Sequence, residues 1–281
     1  MLPSIRSFTV ALAVAALLAC GVLVPCHGQG PAKLPDLRTI VPTQLNLVNS
    51  QGRELLRFSN GICNLGEGPF RMRPEFPLVT TDPQLAIQEI LDSSDSSGAV
   101  VASYVVSQFE FHEAHNHWHI DDVALYEFRT SLSGGLGPAG SFDFGPVAVN
   151  DQGNVQSIKT TFCLIDWIRY GGNSNNGSKS SRVYWDCFGE FQGISVGWVD
   201  QYHHGTPGQF VDVTGLPVGR YYLTSSCNPE GNFVEQTTGN NRAWVVVDLS
   251  RDSNGNPKLA VSGDSFLLEG EGLPAIYSAN R

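Results

Sequence analysis

The chain has 281 residues, a size that suits one domain with appended segments, and a formal net charge of −10. That acidic balance argues against a nucleic-acid binder, which needs a basic surface; it would attract cationic partners, although ordinary solubility is the commoner reason for an acidic chain. Charged residues are 16% of the chain, and aliphatic and aromatic side chains are plentiful enough to bury a core.

Residues 1–28 read as a secretory signal. Arg6 precedes an apolar run from Phe8 to Val24, and Pro25-Cys26-His27-Gly28 offers a cleavage region. The run is short for a span of ~20 residues, so no stable membrane insertion is expected after cleavage. Lipidation at Cys20 is the alternative for a cell-envelope protein, and leucine just before the small residue disfavours it. A Gly/Pro linker follows from Gln29 to Lys33.

Strand-like runs then recur between Gly, Pro and Asn punctuation. They are Thr39–Val48, Glu54–Phe58, Ala99–Phe111, His117–Phe128, Thr160–Leu164, Val183–Phe188, Gln209–Val213, Gly219–Ser226 and Arg242–Leu249. Ala86–Leu91 is read as a further strand, although Asp82-Pro83 could cap a helix there. No long amphipathic helix and no internal repeat is evident. The fold expected is all-β: a single antiparallel β-sandwich-like domain with long loops, over residues 29–250, followed by a tail at 251–281. Tyr170–Arg182 reads as a polar surface loop carrying the sequon Asn176-Gly177-Ser178.

Four histidines fall in eight positions of Phe109–His119. In an extended strand, side chains alternate faces, so His115, His117 and His119 would share one face and offer three imidazoles to copper or zinc. His112 has the wrong parity and would face away unless a bulge intervenes, as a supporting rather than ligating residue. Outside this cluster the mature chain has only His203 and His204, directly after Tyr202. Asp200 precedes Tyr202 by two, on the same face of a regular strand. Four cysteines remain beyond the signal, Cys63, Cys163, Cys187 and Cys227, an even number that suggests disulfides without choosing a pairing.

The ordered motifs resemble the catalytic domain of the lysyl oxidase family. His112-x-x-His115-x-His117-x-His119 is similar to its copper motif. Lys159-Thr160-Thr161-Phe162-Cys163-Leu164 matches its lysine-bearing strand. Gln192-Gly193-Ile194-Ser195 followed by Asp200-Gln201-Tyr202 matches a third element. Gly219-Arg220-Tyr221, Asn228-Pro229, Glu235 and Asn240-Asn241 complete the series, which runs from about Asp36 to Leu249.

The resemblance implies a secreted copper-dependent amine oxidase, and a crosslink of Lys159 with Tyr202 as lysine tyrosylquinone. The chain has four lysines, so Lys159 is one of few choices. Substrates implied are a lysine-bearing protein or a small primary amine, with Asp200 or His203 as candidate proton acceptors. The resemblance also implies a Cys163–Cys187 disulfide. Cys63 and Cys227 would then join each other or stay as buried thiols. A calcium site is implied at Asp36, the Leu37 carbonyl, Glu235, Asn240 and Asn241, all hard oxygen donors. Thr237 stands where the family has an aspartate. Ala114 replaces a cysteine of the animal enzymes, and Ala124-Leu125-Tyr126 lacks a later histidine, so the chain resembles a divergent branch. The rival reading is a non-catalytic secreted metal-binding β-domain that keeps the histidines without the quinone.

Overall fold

The computed structural model describes residues 30–134, 143–150, 152–154, 157–170 and 182–265, without the side chains of residues 157, 159 and 160. The expected signal segment, the sequon and most of the expected tail lie outside the described residues.

The described residues fold into sixteen strands, and every pairing between these is antiparallel. In chain order these are β1 (Leu37–Thr39), β2 (Thr43–Ser50), β3 (Arg53–Asn64), β4 (Phe70–Pro74), β5 (Gln84–Leu91), β6 (Val100–His112), β7 (His117–Ser131) and β8 (Phe144–Val147). They continue with β9 (Ser157–Phe162), β10 (Ile168–Arg169), β11 (Gln192–Ile194), β12 (Trp198–Tyr202), β13 (Phe210–Asp212), β14 (Gly219–Cys227), β15 (Arg242–Arg251) and β16 (Pro257–Asp264). One sheet runs β1-β3-β12-β10, with β2 and β13 also on β3. The larger sheet runs β11-β4-β5-β6-β7-β14-β15-β16, with β8 and β9 on β7. The all-β expectation holds, and the ambiguous Ala86–Leu91 lies within β5. Among the described residues no helix is long and apolar enough to cross a membrane.

The inner faces of the two sheets share one core, in which Phe58, Phe109, Tyr126, Phe128, Phe162 and Leu223 are all buried. Burying each such side chain contributes ~1.5–3 kcal/mol. A buried amide also links the sheets: Asn60 on β3 accepts hydrogen bonds from Thr39, Tyr126 and Ser225 and donates to the Ile40 carbonyl. Thr39 and Ile40 lie at the end of β1 in one sheet, and Tyr126 and Ser225 lie on β7 and β14 of the other, so this amide ties the two sheets together.

Four expectations change. Thr39–Val48 is not one strand: β1 ends at Thr39 and β2 begins at Thr43, the chain between them passing through Pro42, which has no amide proton for a ladder. Val183–Phe188 is not a strand. Its Val183 and Tyr184 amides donate to the buried Asp166 carboxylate instead of to a neighbouring strand. The expected tail begins as a strand: β16 folds back on β15 through a turn in which Asp252 Oδ1 accepts the Asn254 and Asn256 amides. The sheet therefore extends to Asp264 rather than ending at 250. Finally, Cys63 and Cys227 are two separate buried thiols, not a disulfide. Cys63 donates to the Arg38 carbonyl and Cys227 to that of Asn241, so each sulfur is already engaged locally. Burial pushes the Cys63 thiol up to about 12 and Cys227 upward as well, which leaves both unreactive.

Candidate metal centre and its cleft

The histidine cluster straddles a hairpin rather than one strand. β6 ends at His112 and β7 begins at His117. The intervening turn closes with the His115 and Asn116 amides donating to the His112 carbonyl, and Asn116 takes φ 55°, a left-handed conformation that asparagine tolerates. His115 therefore reaches the site from the turn, while His117 and His119 share one face of β7.

The three rings converge. His115 Nδ1 lies 3.1 Å from His119 Nε2, and His117 Nε2 lies 2.9 Å from the same atom. One nitrogen from each of the three fits within a 4.8 Å group. His112 corrects the parity expectation: it stands directly opposite His117 across the hairpin, and its ring stacks on His115 at 4.1 Å and on His119 at 4.8 Å between centroids. Crossing the turn, not alternation along one strand, decides its side. His119 is the deepest of the set, 1% exposed, and its Nδ1 is hydrogen-bonded to Thr161 Oγ1 at 2.7 Å. Burial, then the neighbouring imidazoles, lowers the pKa of all three, that of His119 to about 3. Neutral imidazoles are the form that binds metal.

Beside the histidines opens a cleft of about 630 Å³. His115, His117, Asp200, Tyr202 and His203 line it, together with Cys163 and Cys187, which are joined by a disulfide. Tyr202 ends β12, where it pairs with Asn60 of β3. Its ring packs on Phe162 at 4.1 Å and stands edge-on to His119 at 6.3 Å. Its hydroxyl oxygen accepts the Cys163 amide at 3.0 Å. Burial, then the nearby Asp200 carboxylate, raises the phenol pKa. Lys159 lies on β9, in register with Leu125 of β7 and two residues from Thr161, and its side chain is outside the described residues.

Asp200 is 1% exposed, and its Oδ2 has no hydrogen-bond partner among the described residues. Burial, then the charge of Asp166, raises its pKa well above the usual carboxylate range. His203 is exposed and its Nδ1 accepts the Gly205 amide. The turn carrying it is held by Arg57, whose guanidinium donates to the His204 and Thr206 carbonyls at 2.6 and 2.7 Å.

Arg57 and Asp166 carried no signal in the sequence, whereas Gln192 and Ser195 stood in a recognised motif without an assigned role. Asp166 accepts the Val183, Tyr184 and Ser195 amides and the Ser195 hydroxyl, tying down the wall that bears Cys187. Gln192 bridges the Trp118 carbonyl and the Leu164 amide. Thr161 could have been suspected from its position within the Lys159–Phe162 motif, but Arg57 and Asp166 could not.

The five oxygen-bearing residues expected to hold calcium also meet. Asn240 Nδ2 donates to both carboxylate oxygens of Asp36, Asn241 Nδ2 donates to Glu235 Oε1, and the Leu37 amide donates to Glu235 Oε2. The amide oxygens of Asn240 and Asn241 are buried without a partner. Burial raises the pKa of Glu235.

Residues 141–254 match the lysyl oxidase family model. Lysyl oxidase homolog 3A of Danio rerio is 30% identical over 191 residues, covering 67% of this chain and 18% of that protein. Lysyl oxidase homolog 2A of the same fish is 28% identical over 69% of this chain and 19% of its own length. The human lysyl oxidase homolog 3 is 27% identical over 67% of this chain and 18% of its own length. The matched region thus spans less than a fifth of each of these relatives.

Proposed function

Because the chain belongs to the lysyl oxidase family, we propose that it is a secreted copper-dependent amine oxidase. The reaction is R-CH2-NH2 + O2 + H2O giving R-CHO + NH3 + H2O2, with a lysine-bearing protein or a small primary amine as substrate. The observation that carries this reading is the convergence of three neutral imidazoles at one end of a cleft whose wall holds Tyr202.

The donor set fits copper: three nitrogens within one small group, with the cleft leaving room for a further ligand. Copper at His115, His117 and His119 would supply the oxidising chemistry that turns Tyr202 and Lys159 into a lysine tyrosylquinone. The chain's own residues do the rest. With His119 protonated at Nδ1, Thr161 Oγ1 accepts that proton and Nε2 keeps its lone pair for the metal. The Cys163 amide and the Phe162 ring fix the Tyr202 ring in place. Asp200, whose buried Oδ2 has no partner among the described residues and which lines the cleft, is the first candidate to take a proton from the amine-bearing carbon. His203 at the rim is the second candidate for that proton.

Asp36, Glu235 and the two asparagines fit a hard cation. Two carboxylates and two orphaned amide oxygens are available there, with Arg38 also donating to Asp36 Oδ2, a contact that a bound cation would compete with. We assign calcium there, as a tie between the start of β1 and the turn before β15.

Peptide mass spectrometry of the copper-grown protein after phenylhydrazine treatment tests the catalytic reading. The expected result is a crosslinked Lys159–Tyr202 peptide carrying the hydrazine adduct. Unmodified Lys159 and Tyr202 peptides from a fully copper-loaded sample would refute the quinone and leave a non-catalytic metal-binding β-domain.

A further inference from the structure

A second donor group overlaps the histidine triad. One nitrogen of His117 and the sulfurs of Cys163 and Cys187 all lie within 4.8 Å of one another, at the wall of the same cleft. In the folded protein those sulfurs are bonded to each other. Before that bond closes, the same three residues present two thiols and an imidazole. We propose that the dithiol form of Cys163 and Cys187 with His117 is a binding site for zinc or monovalent copper, and that disulfide closure hands the ion to the three histidines.

The backbone supports this without the sulfur–sulfur bond. The Cys163 amide is held by the Tyr202 hydroxyl, and the Cys187 carbonyl accepts the Trp118 amide, next to His117. Both residues therefore stay beside His117 when the bond is open. The Cα atoms stand 5.5 Å apart, and tetrahedral thiolate ligands at ~2.3 Å from a metal place their sulfurs about 3.8 Å apart, a separation that side-chain rotation supplies. Thiolates select soft and borderline ions, while imidazoles also hold divalent copper. His117 belongs to both groups, so one ion cannot be held fully by both at once. The three histidines are available in either state, and the disulfide state decides whether the thiolate group competes for His117.

The chemistry balances with a disulfide oxidant such as oxidised glutathione. Loading the dithiol site releases two thiol protons. On closure both sulfur–metal bonds break, and the new sulfur–sulfur bond forms. Two electrons pass to glutathione disulfide, whose own bond breaks, and its two thiolates each take up a proton. The ion keeps its charge and its bond to His117, then gains His115 and His119.

The test uses the full chain, metal-free and reduced with a phosphine that is then removed under anaerobic conditions, with cobalt(II) as the probe. A thiolate-to-cobalt charge-transfer band in the near ultraviolet is expected at one equivalent. It should persist in His119→Ala and in Cys63→Ser/Cys227→Ser, vanish in Cys163→Ser/Cys187→Ser, and need roughly tenfold or more cobalt in His117→Ala. Oxidised glutathione should then abolish the band while cobalt stays bound to the wild type but leaves His119→Ala. If the reduced chain loses its far-ultraviolet dichroism, cobalt should restore the signal and the band together. Cobalt bound with no thiolate band, or a band indifferent to His117→Ala, overturns the proposal and leaves the three-histidine site as described.

Discussion

Replacing both Cys163 and Cys187 with alanine measures how far one covalent tie secures the cleft wall. The bridge spans a sequence separation of 24. Closing a loop of that length removes denatured-state entropy worth about 3.5 kcal/mol at room temperature by the chain-entropy relation. The segment it anchors is otherwise held by the amides donated to Asp166 and by the Trp118–Cys187 backbone bond, both of which survive the substitution. The loss should therefore stay near the entropic figure. Against the ~5–15 kcal/mol of a typical domain, the variant still folds. Urea unfolding of metal-free protein, which avoids stabilisation by a bound ion, should show a midpoint lowered by roughly 1–2 M with an unchanged slope. A thermal midpoint roughly 10 °C lower is the companion result. An unchanged urea midpoint would refute the reasoning, because it would mean that the denatured chain is already confined across this loop. Failure to fold at all would refute it in the other direction, since the non-covalent ties would then be too weak to hold the wall.

Four further outcomes follow from named contacts. Thr161→Ala should weaken metal affinity ~10–100-fold in a chelator competition, because His119 Nδ1 loses its partner; unchanged affinity would show that the hydroxyl does not orient the ring. The metal-free protein should lose stability as pH falls below 6.5 and continue to lose it towards about 3. Folded His119 stays neutral while the unfolded chain binds the proton, so stability rises with pH across that window, by about 2 kcal/mol from pH 5 upward. His119→Gln should flatten this part of the denaturation profile, and an equal slope in both proteins would sink the assignment. Arg57→Ala removes two charge-assisted bonds to the 204–206 carbonyls, and hydrogen exchange across 203–208 should accelerate markedly; protection at the wild-type level would show that the turn holds itself. Millimolar calcium should raise the thermal midpoint of the wild type but not of Glu235→Gln, and equal shifts in both would place the ion elsewhere.

The longer strands rich in β-branched and aromatic residues were legible, and β6, β7, β14 and β15 fall close to the runs read from sequence, whereas the short β4 was missed although one of its faces is buried. Pairing is another matter. Nothing local to Val183–Phe188 says that its amides go to Asp166 across the cleft, and an exposed edge strand such as β16 has too weak a pattern to stand out from a tail. The histidine site shows the same division. Residue type and spacing identify the ligand candidates, but the period-two argument assumes an unbroken strand. One left-handed asparagine at 116 breaks it, moves His115 into a turn and brings His112 across to the ring stack. Both arrangements collect His117 and His119 on one face, so the three-histidine cluster forms in spite of an incorrect local geometry. The role of His112 does not survive it. The same limit applies to the cysteines: an even count is a statement about redox setting, whereas pairing depends on which sulfurs the two sheets bring together. Cys163 and Cys187 meet because Tyr202, Gln192 and Trp118 hold their backbones at the cleft, and Cys63 and Cys227 are each engaged by a carbonyl of their own surroundings. Chemistry that depends on residue type can thus be read along the chain, and chemistry that depends on which backbones are clamped beside one another has to be read from the fold.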